Sequence, residues 1–159
     1  MINDLLRINE LNPASVQKIE WTPVGAVLGW NEPIGGHFSQ ALFFRPGWRW
    51  YGVYGTPGTI GFSEKQQRSR GRVYYEVRAV AFLPNDSDTF RSQLQWMAYP
   101  RFYLRITDQL GKKIVVGRPE QGLEMLADFN NEVEMGGKRG YMIEFTGKVS
   151  FPAGFYSFP

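Results

Sequence analysis

The sequence predicts an all-β protein, a mainly antiparallel β-barrel or β-sandwich with one short helix. Three observations carry that prediction. Phe102, Leu104 and Ile106 alternate with Tyr103, Arg105 and Thr107, and the turn Asp108-Gln109-Leu110-Gly111 then leads back through Ile114, Val115 and Val116. Period-two alternation, a polar turn ending in glycine and a β-branched return spell a β-hairpin. Aromatic residues reach 16%, while 18 glycines and 10 prolines interrupt the chain at short intervals. Aromatics suit pleated, half-buried surfaces, and glycine and proline punctuate turns. Helical spacing of apolar residues recurs clearly only near residues 86–99.

Taken in order, residues 1–12 carry Ile2, Leu5, Leu6, Ile8 and Leu11 and read as a short helix or an arm that packs on a neighbour. Asn12-Pro13 ends that segment, because the residue before proline is pushed away from helical angles. Val16, Ile19 and Trp21 open the β region, and residues 24–30 read as a strand with glycine bends. A loop follows around His37. Residues 38–62 are the most aromatic stretch and divide into two or three short strands at Pro46-Gly47, Gly52, Gly55 and Pro57-Gly58. Residues 65–72, KQQRSRGR, hold no apolar side chain and read as a basic loop of Lys65, Arg68, Arg70 and Arg72.

Val73, Tyr75, Val77, Ala79 and Ala81 share one face of a strand that Pro84-Asn85 ends. Phe90, Leu94 and Met97 fall at helical spacing after Asp88, the predicted N-cap. Beyond the hairpin, residues 123–129 are a short apolar piece and 130–140 a polar turn. Residues 141–145 are a strand, and 149–156 are an edge strand interrupted by Pro152. The 159 residues make one domain, 1–159, long enough to bury a core.

Composition removes several chemistries. The chain has no cysteine, so disulfides, thiolate metal sites and cysteine nucleophiles are excluded. Its one histidine, His37, cannot form a multi-histidine metal centre within one chain. No cofactor is expected. The net charge of +3 is mild, and nucleic-acid binding would need a concentrated basic face, so nucleic acid is not expected as a partner. No basic start leads into an apolar signal core, and no run approaches the ~18 apolar residues of a membrane span. The expected location is the cytoplasm when synthesised, with no membrane partner.

His37 and Ser39 would share a strand face, yet no G-x-S-x-G elbow is present, and a turn histidine is the plainer reading. Glu76, Asp108, Glu120, Glu124, Asp128, Glu132, Glu134 and Glu144 offer carboxylate pairs, at the frequency that fifteen acids produce by chance. Asp128, Asn130, Asn131, Glu132 and Glu134 are oxygen-rich but miss the EF-hand pattern and read as a solvated turn. Phosphate-binding glycine loops are absent. The basic loop offers phosphate contacts, with Tyr74 or Tyr75 to stack on bases, but no RNA-binding motif accompanies it; a solvated loop is the plainer reading, and contact with an acidic protein neighbour is a second use.

The segment RPGWRWYG is the strongest binding vocabulary. Arg45, Trp48, Arg49, Trp50 and Tyr51 are the residue types that most often anchor interfaces. The reading is core plus interface, with other protein subunits as partners and a homo-oligomer as the expected state. The alternative is a carbohydrate-binding β-sandwich in which Trp48, Trp50 and Tyr51 form a sugar platform, Trp48 and Trp50 sharing a strand face. Core packing alone is the bland reading of the same aromatics.

Residues 72–156, through RVYYEVRAVAFLPND, FYLRITDQLGKKIVVGRPEQGLEMLADFN and KRGYMIEFTGKVSFPAGFY, resemble small structural proteins of phage and prophage morphogenesis regions. The shared features are a hairpin, a V-G-x-P-E-x-G loop and a final R-G-Y strand. The resemblance carries no catalytic residue. It implies a non-enzymatic tail, connector or related virion subunit acting through protein–protein contacts. A ring subunit would pair its sheet edges with its neighbours.

Overall fold

The computed structural model describes residues 15–131 and 137–159. The predicted arm or helix at 1–12 lies outside them. The chain forms strands β1 (Val16–Pro23), β2 (Val27–Gly29), β3 (Phe43–Phe44), β4 (Tyr51–Val53), β5 (Gly61–Ser69) and β6 (Arg72–Leu83). Helix α1 (Asp88–Met97) follows, then β7 (Phe102–Asp108), β8 (Lys113–Val116), β9 (Glu124–Asn131), β10 (Arg139–Val149) and β11 (Gly154–Phe155). The all-β prediction with one short helix holds.

Two antiparallel sheets form a sandwich. One runs β11-β8-β7-β1-β4 and the other β5-β6-β10-β9. Ile19 and Trp21 of β1 and Phe102, Leu104 and Ile106 of β7 supply one side of the core. Val77 and Ala79 of β6 and Ile143 and Phe145 of β10 supply the other. Phe102 meets Phe145 edge-on, with ring centroids 5.7 Å apart. β1, β6 and β10 give alternate side chains to this core, as the period-two pattern of a strand requires.

The hairpin that dominates the sequence is β7–β8, with Leu104 opposite Val116 and Ile106 opposite Ile114. Asp108 closes its turn: Oδ1 accepts from the backbone N–H groups of Leu110 (2.8 Å) and Lys112 (2.9 Å). β7 departs from expectation in one respect. Tyr103, Arg105 and Thr107, which alternate with the apolar face, are buried as well. A second layer covers them, built on Phe38, Leu42, Val115 and Tyr156, with Trp30, Phe44 and Trp50 packed against it. The Tyr156 hydroxyl accepts from the Leu42 N–H at 3.1 Å and ties the C-terminal tail to that layer.

Helix α1 begins one residue earlier than Asp88 suggested. Ser87 is the N-cap, its hydroxyl accepting from the Phe90 N–H at 3.3 Å, and Asp88 sits in the first turn, where its charge complements the helix dipole. Phe90, Leu94 and Met97 face the core. Ser87→Ala should lower stability by about 1 kcal/mol, read as an unchanged urea m-value with a lower midpoint.

Candidate functional site

The outer face of the five-stranded sheet is held by a buried ion pair. Glu20 and Arg105 lie opposite each other on β1 and β7, and Arg105 Nε donates to Glu20 Oε2 at 2.6 Å. Both are over nine-tenths buried, at 5% and 7% exposure. Lys18 adds a second contact to Glu20 at 2.6 Å. Burial alone would raise the Glu20 carboxyl. The hydrogen bonds from Arg105 and Lys18 outweigh it and hold Glu20 below its ordinary value. The Arg105 guanidinium also lies 5.1 Å from the Trp50 ring.

The predicted interface residues divide between two surroundings: Trp48, Arg49 and Tyr51 adjoin one another, while Trp50 packs elsewhere. Arg45-Pro46-Gly47-Trp48 makes a β-turn in which the Trp48 N–H donates to the Arg45 carbonyl at 3.1 Å. Proline and then a positive-φ glycine, here Gly47 at +83°, are the type II requirement. This turn is not a strand, so Trp48 and Trp50 do not share a face. Trp50 turns inward, packing on Arg105 and edge-on to Phe44 and Tyr156. Arg45 Nε donates to the Gly25 carbonyl at 2.8 Å and braces the turn.

Trp48 goes outward and meets a residue that sequence reading missed. It stacks on Trp96 of α1, centroids 6.5 Å apart at 22°. Trp21 joins the two sides, stacked on Tyr51 at 5.0 Å and 6.4 Å from Trp96. Arg49 lies 5.5 Å from the Tyr51 ring centroid. The result is an aromatic surface in which Trp48 is 37%, Trp96 46% and Tyr99 87% exposed. Beneath it, a cavity of about 220 Å³ opens between α1 and β4, lined by Trp21, Val53, Leu94, Met97 and Phe145 among others. The signal for Trp96 was its place on the face of α1 opposite Phe90, Leu94 and Met97, where solvent would otherwise meet an indole.

The basic segment is not a loop. Lys65 and Arg68 stand in β5 and Arg72 opens β6, with only Arg70 and Gly71 forming the turn between them. Both turn residues have positive φ, +49° and +76°, which matches the twist of a tight hairpin. The polar composition hid the strand, because β5 is an edge whose residues are mostly exposed on both faces. Among the described residues, no carboxylate lies within 4.0 Å of Lys65, Arg68, Arg70 or Arg72. A trough of about 800 Å³ crosses the outer face of this sheet, lined by Lys65, Glu76, Arg78, Arg101, Glu124 and Lys148 among others. Its charges are largely paired: Arg101 with Glu124, Lys148 with Glu76 at 3.8 Å and Arg78 with Glu144 at 3.0 Å.

His37 stacks on Phe155 at 5.1 Å in an exposed turn. Asp86 binds Arg91 at 2.5 Å and Arg139 at 2.7 Å, and these hydrogen bonds lower its carboxyl to about 2. The contact fastens the start of α1 to β10. Glu132 and Glu134 of the oxygen-rich segment lie outside the described residues. Among the described residues, no group of three or more His, Asp or Glu side chains is placed to hold a metal ion, and no helix is long and apolar enough to cross a membrane.

No family model, curated protein or solved structure matches this chain. Its function is therefore argued from the surfaces above.

Proposed function

We propose that this chain is a non-enzymatic assembly protein that works by contact with other protein subunits and associates with copies of itself. The observation that carries the reading is the exposed Trp48–Trp96 stack, continuous with Tyr51 and Arg49. Tryptophan, tyrosine and arginine dominate binding anchors, and an exposed cluster of large aromatics marks a contact surface. The particular assembly we propose is a phage- or prophage-type tail or connector. That assignment is supported by the resemblance of residues 72–156.

The test is sedimentation velocity at micromolar concentration. The wild-type chain should run as a species heavier than its 18.3 kDa monomer. Trp48→Ala combined with Trp96→Ala should shift it to lighter species, with melting close to wild type because both side chains are partly exposed. Unchanged mass in the double variant would remove this surface from the assembly. The parallel orientation of the two indoles favours a second reading, a sugar platform on a β-sandwich. Glycan-array binding that disappears with the same double variant would select it.

A further inference from the structure

We propose a second, separate contact: the free edge of β9 in one copy pairs with the free edge of β5 in the next, joining four-stranded sheets head to tail. This rests on the self-association proposed above but uses neither tryptophan.

β5 and β9 are the two ends of the same sheet, and they match in length, nine and eight residues. Among the described residues, neither makes a backbone hydrogen bond to another segment along its outer edge. Long unpaired edges are a hazard that a protein covers, twists away or uses.

Their charges are complementary. β5, its turn and the first residue of β6 carry Lys65, Arg68, Arg70 and Arg72 without carboxylate partners among the described residues, and the one acid in β5, Glu64, accepts from the Ala153 N–H at 2.7 Å. β9, EMLADFNN, holds two acids and no cation. Glu124 is engaged by Arg101, while Asp128 has no ion-pair partner among the described residues. Leu126 on β9 is exposed, giving the acidic edge an apolar component that solvent alone does not favour.

Topology sets the sense of pairing when copies are related by an axis along the strands. β5 is antiparallel to β6, β6 to β10, and β10 to β9, so three reversals leave β5 and β9 antiparallel to each other. A rotation about an axis along the strands preserves strand direction. It therefore brings β9 of one copy antiparallel to β5 of the next, and the alternation continues unbroken across the contact. This is a heterologous contact, which closes into a ring when the rotation divides the circle.

The test uses the full chain. Lys65→Glu with Arg68→Glu should reduce the sedimenting mass, and Lys65→Glu with Asp128→Lys in one chain should keep it, because Lys65 and Asp128 both stand on the outer face of the sheet and their charges are then exchanged. Melting curves establish that each variant folds. A wild-type mass in the Lys65/Arg68 variant, or a reduced mass in the Lys65→Glu/Asp128→Lys variant, would overturn the proposal. The native chain has no cysteine, so a covalent arm is clean. Gln67→Cys chains mixed with Leu126→Cys chains and a short bismaleimide should give a cross-linked dimer that neither chain gives alone. Cross-linking of Gln67→Cys with itself would instead place two β5 edges together and contradict the head-to-tail contact. If the edge variants change nothing while the tryptophan variants dissociate the wild-type species, only the edge contact falls. A wild-type monomer removes both proposals.

Discussion

Arg105→Ala should destabilise the fold by about 3 kcal/mol, the lower end of the range for breaking a buried ion pair. The loss comes less from the missing attraction than from the carboxylate left behind. Glu20 is 5% exposed, beneath a layer of aromatic side chains. Lys18 remains in contact with it at 2.6 Å, which keeps the cost from reaching the top of that range. The variant also removes the cation from the Trp50 ring. Replacing both members, Glu20→Met with Arg105→Leu, should recover much of the loss, since the buried charge goes with its partner. The pH dependence supplies an independent readout. Glu20 is held below its ordinary value in the folded chain. Its contribution is therefore present above the ordinary carboxylate range and is lost as pH falls through and below that range. Arg105→Ala should flatten this acid limb of the stability profile. A variant as stable as wild type at neutral pH would show that the pair is not holding the covering layer in place.

Phe145→Ala should cost about 3–5 kcal/mol, the usual range for emptying a buried phenylalanine site. Phe145 is 1% exposed at the centre of the four-stranded sheet and meets Phe102 of the opposing sheet edge-on. Its removal deletes apolar burial and leaves a void where aromatic rings of both sheets meet. Adjacent strands on each side, β6 and β9, limit how far the site can collapse. Denaturation in urea would show the loss directly. A cost below 1 kcal/mol would mean that the sheets re-close around the gap and that the core is looser than its burial indicates.

These two sites differ in how legible they were. Phe145 was readable, because Tyr141, Ile143 and Phe145 alternate against Met142 and Glu144, and β10 extends that pattern to Val149. The hairpin of β7 and β8 was readable for the same reason. Arg105 was not, since a cation at the polar position of an alternating strand reads as solvent-facing. Only the covering layer buries it, and that layer contains few regular strands whose period could announce it. β5 failed in the opposite way: with both faces wet, no alternation remains to distinguish a strand from a loop. The binding surface was half legible. Trp48 and Tyr51 were chosen from their residue types, whereas Trp50 belongs to the covering layer. Trp96 reaches the surface from a helix 48 positions beyond Trp48, a proximity that only the fold creates.

Sedimentation velocity of the wild-type chain at micromolar concentration is the most direct test of an assembly role. Association predicts a species heavier than 18.3 kDa that lightens when Trp48 and Trp96 become alanine. A monomer that stays monomeric as concentration rises would contradict it.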